Sequence, residues 1–270
     1  MTEEPGWVPP EADTRRANVA RVYDYLLGGS HNYLADQDLG RSLAAVDPNV
    51  RAIARANRDF LGRAVRFLAR AGIDQFLDIG SGIPTQGNVH EIAQQGRPAA
   101  RVVYADIDPV AVAHSRAILA GNQHAAVITA DLRDPGQILA DPVTRQLIDF
   151  SQPAGLLLSS VLPFLADDEE PWPVVAQLRD ALAPGSYLAL CHATSDGRPA
   201  VTRAMDKVYR GGVQAGGTIR SRAAILRFFD GFELVEPGLV NVPAWRPDST
   251  AGLPADPGQF WVLGGVGRKP

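Results

Sequence analysis

The hydrophobic rhythm of the chain changes once. From Asp13 to Ala71 apolar residues recur three and four positions apart, whereas from Gln75 onward short apolar runs alternate with segments of that helical spacing. The first regime predicts helices alone. One is expected to start at a cap on Asp13 and end at Gly28-Gly29, a second covers Ala35 to Val46, and a third starts after Asp47-Pro48 and runs to Arg70. Ile53, Ala56, Phe60, Ala64, Phe67 and Leu68 make one core-facing stripe on the third. The second regime predicts strands at Gln75 to Ile79, Arg101 to Ala105, Ala125 to Ala130, Ala154 to Val161 and Ser186 to His192, with the last two at Phe232 to Val235 and Gln259 to Leu263. Helices are expected over Val110 to Ala120, Ala200 to Tyr209 and Ser221 to Phe229. Strands and helices in alternation make an α/β fold with a mostly parallel sheet and helices on both faces. Residues 1–12, rich in Pro and Glu, are expected to be a disordered tail, 13–72 an N-terminal helical extension, and 73–270 one sheet domain.

The first three strands end in acids. Phe76-Leu77-Asp78-Ile79-Gly80-Ser81-Gly82 is an apolar strand that runs into a carboxylate and two glycines, an order suited to close approach by a nucleotide-type ligand. A dinucleotide fingerprint would carry a third glycine where this chain has Thr85, after Pro84. Asp78 would sit awkwardly beside a pyrophosphate but suits a ligand with an amino group and a positive sulfur, which points to S-adenosyl-L-methionine. Asp106, followed by Ile107, can accept from both ribose hydroxyls, while Asp108 before Pro109 fits a helix cap. Asp131 can accept from the adenine amino group as Leu132 packs on the ring. Each acid alone also fits a cap or a solvated loop. Three at successive strand tips favour one ligand, with Ser81, Thr85, Gln86, Ser159 and Ser160 completing the expected cofactor shell.

With these residues in view, the chain resembles the class I S-adenosylmethionine-dependent methyltransferases. More narrowly, it is similar to an actinobacterial family long catalogued as a domain of unknown function and labelled S-adenosyl methyltransferase. The runs Arg21 to Gly29, Arg55 to Arg58, Gln75 to Glu91, Pro184 to Leu188 and Ala244 to Pro247 carry the resemblance, which covers nearly the whole chain. It implies a Rossmann-like, seven-stranded sheet whose last two strands pair with one antiparallel to the rest. Many relatives have Lys-Asp where this chain has Ser30-His31, and His where it has Pro163, so the roles of those positions are not carried over.

Composition narrows the classes further. With 46% hydrophobic and 21% charged residues among 270, the chain is ordinary globular material. No apolar run approaches the ~18 residues of a membrane span. Met1 to Gly6 lack the basic start of a signal peptide, so a cytoplasmic protein is expected. The single cysteine, Cys191, reads as a small core residue, and the five histidines show no metal-ligand spacing, so no metal site is expected. A net charge of −4, with arginines interleaved among acids, argues against a nucleic-acid substrate.

The acceptor is expected to be a small molecule, an aromatic or nitrogen-heterocyclic specialised metabolite such as one with an indole-type ring. His192, at a strand end, is the preferred base, with Tyr23 and Tyr33 as relay or orienter. His31, Asn32, Phe164, Trp172 and Trp245 are the candidate substrate contacts. Gly28-Gly29 before Ser30-His31-Asn32-Tyr33 suits the hinge of a lid, and a plain helix-terminating turn explains it as well. His192 could equally donate to a neighbouring carbonyl without moving protons, and Tyr23 could be packing. A cofactor-binding sensor or degenerate methyltransferase without turnover, and a peptide or protein methyltransferase, stand as alternatives. An NAD-dependent oxidoreductase lacks its third glycine.

Overall fold

The computed structural model of the protein describes residues 13–84, 87–213, 217–249, 254 and 256–270, so the expected tail at 1–12 lies outside the described residues. Three helices, α1 (Val19–Leu27), α2 (Leu34–Val46) and α3 (Val50–Arg70), precede β1 (Gln75–Ile79). Then come α4 (Val89–Gly96), β2 (Arg101–Asp106), α5 (Pro109–Ile118), β3 (Ala125–Thr129), α6 (Pro135–Ala140), α7 (Pro142–Leu147) and β4 (Gly155–Ser159). The chain closes with α8 (Pro171–Ala181), β5 (Tyr187–Ala193), α9 (Pro199–Gly212), α10 (Arg222–Leu226), β6 (Glu233–Leu234), β7 (Val240–Asn241) and β8 (Val262–Arg268). Asp108 caps α5 as expected, accepting from the Val110 N–H at 2.7 Å ahead of Pro109. Asp13 does not cap α1. The helix begins five residues later, where the Asn18 carbonyl oxygen of the side chain accepts from the Ala20 N–H at 2.7 Å, and Asp13 instead closes an exposed turn.

The sheet runs β3-β2-β1-β4-β5-β8-β6, with β7 also on β8, which makes eight strands among the described residues where seven were expected. β1 to β5 are parallel and β8 is antiparallel to its neighbours. The last strand lies C-terminal to its expected position. Gln259 belongs to a short 3-10 turn, and β8 passes through Gly264, Gly265 and Gly267, residues that by propensity weaken a strand. Packing overrides propensity here. A Cβ on Gly264 would stand 2.9 Å from the Phe60 ring, and one on Gly267 2.8 Å from Phe232, so the bare backbone lets those rings lie directly on the sheet.

Two hydrophobic layers follow from the two-residue period of the strands. Phe76, Val102, Leu157, Ala189 and Cys191 point into the layer shared with α1 to α4. Leu77, Ile79, Val103, Leu156 and Leu190 point into the layer of α6, α8 and α10. In the first, Phe60 of α3 is buried and packs edge-on to Trp245 at 5.3 Å, and burial of such a side chain stabilises by about 1.5–3 kcal/mol. Val22, Leu26, Leu43 and Phe60 belong to the same cluster as the strands, so the N-terminal helices are built into the sheet domain. Among the described residues no helix is long and apolar enough to cross a membrane.

Candidate active site

Because β1 turns back through β2 on one side while β4 starts the other half of the sheet, a crevice opens at the carboxyl ends of these strands. A cavity of about 240 Å³ occupies it, walled by the strand tips below and by residues of α1, α3 and α9. Gly80 and Gly82 shape its floor with left-handed backbone at φ +71° and +67°. A side chain at Gly80 would collide with Val161. The Gly82 N–H donates to Asp106 Oδ2 at 2.7 Å, and the Asp108 N–H donates to Oδ1 at 2.8 Å, so the carboxylate at the tip of β2 is fixed in orientation. Burial pushes Asp106 up to about 6, against the pull of those N–H groups.

Three buried polar atoms next to it have no hydrogen-bond partner among the described residues: Asp78 Oδ1, Ser81 Oγ and Arg58 Nε. Burial pushes Asp78 up to about 7, with Arg58 opposing and Asp106 adding to the rise. Arg58 is held from α3 by Nη2, which donates to Asn88 Oδ1 at 3.2 Å. Asp78, Ser81 and Arg58 face both the cavity and a narrow recess of about 10 Å³ that continues from it. Each unsatisfied buried group costs roughly 1–3 kcal/mol, which a ligand carrying the opposite partners recovers. An ammonium and a carboxylate on one carbon, the amino-acid end of S-adenosylmethionine, supply both. The site therefore fits that cofactor: Asp78 could take the ammonium, Arg58 the carboxylate and Asp106 the ribose.

The part of the cavity expected to take the adenine is apolar. Ile107, 56% exposed, and buried Leu132 both line the cavity. Asp131 lies beside them with Arg133 Nη1 at 3.1 Å, and Arg133 Nε reaches Glu169 at 2.5 Å. Ser159 and Ser160 also line the cavity, Ser160 with an unusual φ of +57°. Thr85 and Gln86 lie outside the described residues.

The opposite end is walled by Leu26, Val50, Ile53, Met205, Ile219 and Trp261. Tyr23, Tyr209 and Phe164 add rings, the last two 5.8 Å apart. The carboxylate there, Asp206, is taken up by Arg210 Nε, which donates to both its oxygens at 3.0 and 2.9 Å. Burial raises Tyr23 well above the ordinary tyrosine range and Tyr209 to about 12, so both hydroxyls stay protonated.

The structure does not bring the other expected acceptor residues here. His192 is fully buried outside the cavity. Strand alternation is the reason: Cys191 points to the α3 face, so its neighbour points to the other. There His192 Nδ1 donates to the Ala193 carbonyl at 2.7 Å, Nε2 accepts from Arg220 Nη1 at 2.9 Å, and the ring stacks on Phe228 at 5.9 Å. Burial pushes it down to about 3, so it is neutral with both nitrogens spent, which rules out the expected base. Trp172 also stacks on Phe228, at 5.6 Å, and Trp245 is fully buried against Phe60 and Phe67. Neither lines the cavity.

The segment after Gly28-Gly29 is not a free hinge either. Asp24 Oδ2 accepts from the His31 N–H at 2.9 Å and from Asn32 Nδ2 at 2.7 Å. The His31 ring lies 3.9 Å from that of His114, and Tyr33 packs beside Ile83, Val110 and Ala111. All three stay outside the cavity lining. Arg58, Asn57, Tyr209 and Trp261 were missed from sequence. Only Asn57 and Arg58 carried a signal, as part of a run shared with the family, with no role attached.

The model of the family described as S-adenosyl methyltransferase matches residues 5–270. A solved protein from Thermobifida fusca, described as a candidate methyltransferase, is 45% identical over 98% of this chain and 99% of its own, with a TM-score of 0.92. A DUF574 family protein from Streptomyces avermitilis is 39% identical over 96% and 99%, also with a TM-score of 0.92. An O-methyltransferase family protein from Burkholderia thailandensis, 16% identical over 92% and 70% with a TM-score of 0.54, shares the fold. No curated protein matches the chain significantly.

Proposed function

The chain belongs to the S-adenosyl methyltransferase family and is an S-adenosylmethionine-dependent methyltransferase, and from that premise we propose that its acceptor is a small aromatic or nitrogen-heterocyclic metabolite. One observation carries this reading: beyond the cofactor end, the cavity is walled by aliphatic and aromatic side chains, and its one carboxylate is already paired with Arg210. A sugar phosphate or a carboxylic acid would find no free cation there among the described residues. Arg58 and Arg133 both sit at the cofactor end.

S-adenosylmethionine supplies a methyl group on a positive sulfur, open to in-line attack by an electron-rich atom. The protein's part is to align the acceptor and exclude water. Asp78, Arg58 and Asp106 would hold the cofactor, while Tyr23, Phe164, Tyr209 and Trp261 would hold the ring. With His192 outside the cavity, both tyrosine hydroxyls held protonated and Asp206 paired with Arg210, the acceptor end offers no free base among the described residues. That favours an electron-rich ring carbon, such as one of an indole, over a phenol.

Incubation with methyl-labelled S-adenosylmethionine and a panel of indoles, other heterocycles, phenols, carboxylic acids and sugar phosphates tests this, alongside an actinobacterial metabolite extract. Label is expected in ring compounds. Label in acidic or phosphorylated acceptors alone would overturn the apolar-ring reading. Tight cofactor binding with no label anywhere would favour the sensor.

A further inference from the structure

Asn57 is 3% exposed, sits between three elements and has its whole amide committed. Its Nδ2 donates to Tyr23 Oη at 3.1 Å and to Ser160 Oγ at 3.0 Å, and its Oδ1 accepts from Cys191 Sγ at 2.6 Å. The orientation is forced by valence. Tyr23 Oη lies 2.9 Å from the Ala54 carbonyl, which can only accept, so the single phenolic hydrogen is used there. The group facing Tyr23 from Asn57 must then be the NH₂, which turns the amide oxygen to Cys191 and makes the thiol its donor. Cys191 cannot serve as a thiolate here, since burial pushes it up.

The consequence falls on Tyr23. Its hydrogen is spent and one lone pair is taken, which leaves a lone pair for a molecule in the cavity that Tyr23, Ala54 and Asn57 together line. Resting on the acceptor reading above, we propose that Tyr23, its hydrogen held by the Ala54 carbonyl and one lone pair by Asn57, is an acceptor-only contact, so the site selects ring acceptors bearing an N–H or O–H donor. A ring without that donor would leave the remaining lone pair of the Tyr23 oxygen desolvated and without a partner, and sites of this kind discriminate well. The donor could instead come from the cofactor's ammonium, which the test separates.

The probes are indole, benzofuran and 1-methylindole, titrated into the full chain saturated with S-adenosylhomocysteine. Indole should bind about tenfold more tightly than either analogue, the factor that corresponds to ~1.4 kcal/mol. Tyr23→Phe should reduce that ratio to near one while leaving S-adenosylhomocysteine affinity within about twofold. Cys191→Ser, which keeps a donor to Asn57 Oδ1, should retain the preference. Equal binding of all three probes to the wild type, or an unchanged preference in Tyr23→Phe, would overturn the proposal. Loss of S-adenosylhomocysteine affinity in Tyr23→Phe with the ring preference intact would assign the contact to the cofactor and overturn it as well. If no ring binds while S-adenosylhomocysteine does, the apolar-acceptor reading itself fails.

Discussion

Placed against the cofactor's ammonium as proposed, Asp78 should make cofactor binding release protons. With its pKa raised to about 7 by burial and that of Asp106 to about 6, both carboxyls are partly protonated in the empty site near pH 6. A bound ammonium favours the ionised form of Asp78, ribose hydroxyls donating to Asp106 favour its ionised form, and both return toward the ordinary value near ~3.9. Because both carboxyls are partly protonated in the empty site and ionised in the bound one, binding at pH 6 should release protons, the larger share from Asp78. The same occupancies weaken binding at pH 6, and affinity for S-adenosylhomocysteine should rise about tenfold between pH 6 and 7.5, or ~1.4 kcal/mol. Titration calorimetry at pH 6 in two buffers of different ionisation heat reads the proton count directly. Asp78→Asn should lower it and flatten the pH dependence. The linkage also has a sign for stability. A carboxyl whose folded pKa is raised stabilises the unliganded protein at low pH, and that share is lost as pH rises through about 7. Asp78→Asn should therefore gain on the wild type in thermal midpoint from pH 5 to 8 without cofactor. Binding with no buffer-dependent heat at pH 6, or affinity that falls toward pH 7.5, would refute the placement of Asp78 against the ammonium.

Three other outcomes follow from the same geometry. Arg58→Met should weaken S-adenosylhomocysteine binding at least tenfold, about 1.4 kcal/mol, since the buried Nε has no protein partner to lose; fluorescence or calorimetric titration reads it. His192→Ala should leave that affinity within about twofold but lower stability by about 2–4 kcal/mol in denaturant melts, because a buried ring stacked on Phe228 is removed. The neutral histidine's contribution is full above its ordinary pKa near 6.5 and is lost as pH falls below it, so the gap between the two proteins should narrow in acid. Gly264→Ala, with a Cβ 2.9 Å from the Phe60 ring, should cost about 1–3 kcal/mol and show in the same melts.

Much of this protein is written locally. The acids at the tips of β1, β2 and β3, the glycines that must take left-handed backbone, and the Asp108-Pro109 cap each depend on neighbours a few residues away. Short-range sterics and hydrogen bonding therefore place Asp78, Asp106 and Asp131 from sequence alone. The strand through Gly264, Gly265 and Gly267 was not legible, since what makes glycine favourable there is the approach of Phe60 and Phe229 from distant segments.

Histidine 192 and cysteine 191 mark the boundary most sharply. Alternation along β5 fixed in the sequence that the two point to opposite faces. Which face holds the acceptor was decided only when α1 and α3 packed on the Cys191 side, bringing Asn57 and Tyr23 to the tip of β4 and leaving His192 behind Arg220. Arg58 likewise acquired its place only through the docking of α3, which set an unpaired guanidinium nitrogen near an unpaired carboxylate oxygen 20 positions away in the chain. Local rules write the period of a strand. The partner of each face is a sum of many long-range contacts, and a single sequence does not carry that sum at any one position.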